Sequence, residues 1–222
     1  MSDYVHEDVA TEEIERQRAL YGPLAQSIRE LADASIRTEV GDDEVRAARA
    51  EIEAITARLR ERQLPGSYGV RFGSSGTSRA WGNAVVGTRN PVAPPVEVHR
   101  DPTGRAWADF RLGAAYEGPP SLVHGGVSAL ILDQLLGEAA GAGGKPGMTG
   151  TLTVRYRRPT PLGALHGEAH IDRVDGIKTF VVGHLADAGG ITVEAEGIFI
   201  LPRWARRPDA DDEPSRFEQA RR

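Results

Sequence analysis

Residues 116–141 read YEGPPSLVHGGVSALILDQLLGEAAG. The stretch after the His-Gly-Gly turn predicts a helix that is apolar on almost every side, yet it carries a carboxylate at Asp133, in its middle. If the helix starts at His124 or Gly125, a turn of 100° per residue sets Asp133 beside Ala129, Leu130, Leu136, Gly137 and Ala140. An unpaired carboxylate among such neighbours costs several kcal/mol, about the usual desolvation penalty. Two readings are open. Either Asp133 hydrogen-bonds a local backbone group or surfaces at a subunit seam, or it serves chemistry.

A helix apolar on nearly every face must be covered on nearly every face. The flanking sequence supplies the cover. TGTLTVRYRRP (149–159) alternates, with Leu152, Val154 and Tyr156 on one face and Thr153, Arg155 and Arg157 on the other. LHGEAHIDRV and TFVVGHLAD flank Asp175-Gly176, a hairpin signal, and ITVEAEGIFILP follows Asp187-Ala188-Gly189-Gly190. Upstream, NAVVGT, PPVEVHRD and RAWADFRL read as short strands, with turn chemistry at Asp101-Pro102-Thr103-Gly104. These elements predict a strongly curved antiparallel sheet around one helix.

Residues 5–64 lie outside that unit and read as helical. Val45, Ala48, Ile52, Ile55 and Leu59 recur at spacings of three and four on an otherwise charged helix, with Asp42 or Asp43 as its cap and Pro65-Gly66 as its stop. An earlier helix, Val9 to Ile36, is expected to break near Gly22-Pro23. These helices are expected to pack on the main domain or a partner, or to form a lid. The expected division is a helical extension over 1–65, one domain over 66–202 and a charged, flexible tail over 203–222.

Composition narrows the function classes. The 222 residues carry a formal charge of −5, which argues against nucleic acid as a partner. There is no cysteine, so disulfides, thiol catalysis and Cys-type zinc sites are out, and a reducing, cytoplasmic setting is expected. The N-terminus is acidic and lacks an apolar core, unlike a signal peptide, and no run approaches the ~18 apolar residues of a membrane span. His166 and His170 are four apart, but on a strand-like segment, where helical metal-ligand spacing does not apply, so no metal site is expected. The Gly-Ser segment near residue 80 lacks a nucleotide-binding pattern.

Gly125-Gly126 lets a ligand approach the backbone, and free N–H groups at a helix start favour negative charge, as an oxyanion site for acyl transfer requires. Gly126 and Asp133 are separated by roughly 10 Å along the axis at 1.5 Å per residue. Both can act on one substrate only if two such helices lie side by side and antiparallel, so a symmetric homodimer with shared sites is expected.

HGGVSALILD (124–133) resembles the His-Gly-Gly, six residues, Asp motif of hotdog-fold acyl-CoA thioesterases, most closely the PaaI-type branch. The likeness runs through EGPPSLVHGG before the helix and MTGTLTVRYRRPTPLG after it, over about residues 80–202. It implies an α+β hotdog fold, here with an N-terminal helical extension. It implies an acyl-CoA substrate hydrolysed without metal, coenzyme A entering only as part of the substrate. Asp133 would be the general base or the nucleophile, the Gly126 N–H, alone or with that of Gly125, would polarise the thioester carbonyl, and His124 would position it. In related enzymes a Thr or Ser after the helix contacts the water or the Asp of the paired subunit; Thr149 matches it, with Thr151 a neighbour. Arg155 and Arg157, with Arg158 and Lys145, are candidates for the coenzyme A phosphates. A homodimer or homotetramer is implied. A noncatalytic acyl-CoA-binding protein is the first alternative. A hotdog hydratase is disfavoured, because there the Asp precedes the His.

Overall fold

In the computed structural model, residues 4–74 and 78–202 are described. In chain order the elements are β1 (Tyr4–His6), α1 (Thr11–Arg37), α2 (Asp42–Arg60), β2 (Val70–Phe72), β3 (Ser78–Arg79), β4 (His99–Asp101), β5 (Arg105–Leu112), α3 (Gly125–Ala142), β6 (Met148–Tyr156), β7 (Gly163–Asp175), β8 (Lys178–Asp187) and β9 (Gly190–Ile200). The expected hotdog arrangement is present. Six strands in the order β4-β5-β7-β8-β9-β6 pair antiparallel and wrap α3. Along β5 the side chains alternate: Ala106, Ala108, Phe110 and Leu112 are buried toward α3, while Arg105, Asp109 and Arg111 face outward.

The helix contributes Ile131, Leu132, Leu135, Leu136, Ala139 and Ala140, all fully buried, and the sheet answers with Val181, Leu185 and Val193. Each such Leu or Ile contributes about 1.5–3 kcal/mol by leaving water. Gly167 lets the helix sit close, since a Cβ there would stand 2.6 Å from Leu135 Cδ1. Two hairpins close where turn chemistry indicated. Gly176, at φ +54°, sits between Asp175 and Lys178, and Gly190, at φ +106°, faces Asp187.

Three expectations are corrected. The helix over 9–36 does not break at Gly22-Pro23: α1 runs through Pro23, with Ile14 before it and Ala25 after it both buried and holding the two halves to one body. α2 is capped by Gly41, without a side-chain bond, and Asp42, Asp43 and Glu44 fill its first turn, where they favour the helix dipole. NAVVGT forms no strand, and of PPVEVHRD only His99–Asp101 does. The Asn83 side chain accepts from Val85 N at 2.7 Å and Val86 N at 3.0 Å, so a local turn outcompetes the ladder. Val85 and Val96 still reach the core from this irregular segment.

A second, three-stranded sheet, β1-β2-β3, was not expected. Glu7, just after β1, is clamped between Arg71 and Arg79 and ties it together. Residues 203–222, expected to form a charged tail, lie outside the described residues. Among the described residues, no helix is long and apolar enough to cross a membrane.

Candidate active site

Two hydrogen-bonded groups form along α3, and β6 supplies a hydroxyl to each. In the middle of the helix, Asp133 is half-buried, and Thr149 Oγ1 donates to its Oδ1 at 2.9 Å. The Thr149 hydroxyl belongs to the same chain as Asp133, where the resemblance had suggested the Asp of the paired subunit as one option. Gly137, one turn on, leaves room for the Phe199 ring, 3.3 Å from where a Cβ would stand.

At the helix start, His124 is the N-cap, and its Nδ1 accepts from the Gly126 N–H at 3.0 Å. Tyr156, the last residue of β6, donates its hydroxyl to the Gly125 carbonyl at 2.9 Å. The Gly125 carbonyl and the Gly126 N–H belong to one peptide unit, so that plane is held at both ends. A donor on the carbonyl also polarises the amide and strengthens its N–H as a donor. The Gly126 N–H is thus occupied by the protein's own imidazole and can serve a substrate only when the ring turns aside.

The other candidates stand apart from these groups. Thr151 is exposed on β6, beyond a register shift between Thr149 and Thr151. Arg155 pairs with Glu196 at 2.5 Å, and Arg157 Nε bonds Glu194 at 2.7 Å. Both guanidinium groups therefore have carboxylate partners on β9. Arg158 is held by Asp187 and by the Gly190 carbonyl at 2.7 Å. Lys145 is exposed. Among the described residues, no group of three or more His, Asp or Glu side chains is disposed to hold a metal ion.

Tyr156 was legible in the sequence only as one position on a face of an alternating strand. Its contact with Gly125 depends on β6 running back along α3, which no local pattern reports. The same holds for Asn83, whose amide reaches Gln134 of α3 at 3.3 Å. Beside that contact lies a cavity of about 880 Å³, lined by Arg18 and Arg29 of α1, by Trp81, Val86 and Val96, and by Glu138 of α3. The N-terminal extension thus forms one wall of a space that reaches the central helix.

The thioesterase superfamily model matches residues 121–194, which span α3 and its hydrogen-bonding groups. A solved crystal structure of a thioesterase superfamily protein is 34% identical, covers 81% of this chain and 90% of that one, and superposes with a TM-score of 0.73. The chain belongs to the thioesterase superfamily. It is also similar to curated members. Acyl-coenzyme A thioesterase THEM4 of Xenopus laevis is 34% identical over 96 residues, 41% of this chain and 42% of that protein. Its counterpart in Bos taurus is 32% identical over 94 residues, 41% of this chain and 38% of that protein. The matched part thus spans about two-fifths of the length of these curated superfamily relatives.

Proposed function

We propose that the protein is a cytoplasmic acyl-CoA thioesterase that hydrolyses an acyl-CoA thioester to the free acid and coenzyme A. The observation that carries the reading is Asp133: a carboxylate in the middle of a largely apolar helix, half-buried and oriented by the Thr149 hydroxyl at 2.9 Å. In the reaction, water adds to the thioester carbon while Asp133 takes its proton. The C–S bond then breaks, and the departing sulfur recovers the proton from Asp133. Attack by Asp133 itself, through an acyl-enzyme anhydride opened by water, uses the same groups. The charge on the carbonyl oxygen is met by the α3 start, through the Gly126 N–H or its neighbour at Gly125. His124 yields that N–H as the carbonyl arrives. Coenzyme A enters only as substrate, and the mechanism asks for no metal. Thr151, Arg155 and Arg157 lie on β6 or directly after it, and to bind the phosphates of coenzyme A the arginines would have to exchange glutamate for phosphate.

The acting unit is a homodimer in this reading. The α3 start and Asp133 are roughly 10 Å apart along one helix. The free edge of β6, and the exposed Leu130 on α3, offer the side on which a second copy would bring its Asp133 to the first copy's helix start. The test is an acyl-CoA panel with free-thiol detection, run on wild type and Asp133→Asn. Thioester turnover that falls about 10² to 10⁴-fold in the variant is expected. Equal rates in both proteins would remove Asp133 from the chemistry.

The occupied Gly126 N–H favours one second reading, a protein that binds acyl-CoA without turning it over. It takes over if both proteins bind coenzyme A esters and neither releases thiol.

A further inference from the structure

α2 projects an apolar seam that nothing among the described residues covers. Every residue of α2 except Thr56 is exposed, and none is buried. Val45 is 48% exposed, Ile52 39%, Ile55 45% and Leu59 51%, although all four lie on one side of the helix. In proteins most of a helix's stability comes from packing of its apolar face, so the seam calls for a partner.

The pattern of the seam says what kind. Val45, Ala48, Ile52, Ile55 and Leu59 follow spacings of 3, 4, 3 and 4, the two-in-seven repeat of a coiled coil. A helix lying on a globular body shows a broader stripe. Some charges of α2 pair along the helix itself. Arg46 pairs with Asp43 at 2.7 Å and Arg49 with Glu53 at 2.7 Å along the helix. Glu51 and Arg58, which flank Ile52 and Leu59, take part in no ion pair among the described residues.

We propose that α2 pairs with α2 of a second copy as an antiparallel two-stranded coiled coil, Ala48 facing Leu59 and Ile52 facing Ile55 across the seam. The orientation follows from volume. A parallel pair would stack Ala48 on Ala48 and leave a void, whereas the antiparallel pair sets the smallest seam residue against Leu59. It also opposes the two helix dipoles. The register follows from charge. With Ala48 facing Leu59, Glu51 of each copy meets Arg58 of the other, which gives two pairs across the seam. Slipping the pair to set Ala48 against Ile52 would bring Glu51 onto Glu51 and Arg49 onto Arg49. The partner is therefore a second copy of this chain, through a surface separate from the α3 and β6 side used in the proposed catalytic unit. The inference does not depend on the thioesterase reading.

The absence of cysteine in the chain allows a direct test. Full-length Ile52→Cys and Ile55→Cys proteins are mixed, allowed to exchange subunits and oxidised. A disulfide needs Cα atoms within about 7 Å, which the proposed register gives to the mixed pair alone. The expected result is mixed disulfide at least fivefold above either homodisulfide. Ala50→Cys mixed with Ala57→Cys, at the same height on the outer face of α2, should give none. Equal or greater homodisulfide yields would mean a parallel or random encounter and would overturn the proposal. So would equal crosslinking from the outer face, or no covalent dimer at all, as expected if α2 rests on another body.

Discussion

Thr149 and Asp133 are joined across the groove between β6 and α3, the threonine hydroxyl donating to one carboxylate oxygen at 2.9 Å. Thr149 is an exposed residue on the edge strand, and Asp133 is half-buried on the central helix. The bond orients the carboxylate and offsets part of its desolvation. Thr149→Ala should lower kcat by about ten- to a hundredfold, the equivalent of the ~1.5–3 kcal/mol of a hydrogen bond to a charged group. Thr149→Ser should restore most of the rate. Steady-state kinetics on one good acyl-CoA substrate decides, and an alanine variant at wild-type rate would leave the hydroxyl with no part in turnover.

Tyr156 acts one step further from the substrate. Its hydroxyl holds the Gly125 carbonyl at 2.9 Å and so sets the plane that presents the Gly126 N–H. Tyr156→Phe should reduce kcat about fivefold with little change in KM, as loss of one neutral hydrogen bond of ~1 kcal/mol allows. A shift in KM alone would point to packing instead.

The N-terminal extension contributes Arg18 and Arg29 to the cavity of about 880 Å³ beside α3. It is held there by Ile14, fully buried, and by Asp33, which accepts from the Ala114 N–H at 3.0 Å. A variant beginning at Gly66 should change acyl-chain preference more than it changes the rate on its best substrate. An unchanged substrate profile would assign α1 to assembly alone. Ile14→Ala in the full chain should cost about 2–5 kcal/mol locally, as truncation of a buried aliphatic side chain does. Limited proteolysis around residues 38–41 reads that loosening.

On the outer sheet face, the Arg105 guanidinium bonds Glu168 at 2.9 Å and 2.8 Å and holds its carboxyl at about 2. A folded value below the unfolded one stabilises the protein above the ordinary glutamate range, and that gain is lost as the pH falls from about 4.5 toward 2. Arg105 is 44% exposed, so solvent screening limits the effect to about 1 kcal/mol. Glu168→Gln should therefore be less stable than wild type at pH 7 in urea unfolding, and the gap should close through that acid window. A gap that persists at pH 2 would mean the glutamine disturbs packing.

His184, two strands from β5 on the same face, is pushed below its ordinary value by burial, against the opposing pull of Glu168. A folded imidazole that resists protonation makes the fold lose stability as pH falls below about 6.5, where the unfolded chain takes up the proton. His184→Gln should flatten the stability curve between pH 7 and 5. The same slope in both proteins would place the dependence elsewhere.

The sequence by itself determined the central helix, the hairpins and the carboxylate. A largely apolar run after His-Gly-Gly predicts a covered helix. Asp175-Gly176 and Asp187 to Gly190 mark turns, because a positive φ is open to glycine at no steric cost. Asp133 stood out because its neighbours at helical spacing are apolar. Tertiary structure decided the rest, for reasons of distance along the chain. Pro23 breaks no helix, since Ile14 and Ala25 are anchored on both sides of it by packing that local preference does not see. NAVVGT has strand composition, yet Asn83 turns it with two backbone bonds. The bonds from Thr149 to Asp133 and from Tyr156 to Gly125 span 16 and 31 residues, and they exist because the sheet brings β6 back along α3. The seam of α2 was plain in its spacing, but only the fold left it bare: among the described residues α1 still buries Ile14 and Ala25, and α2 buries nothing.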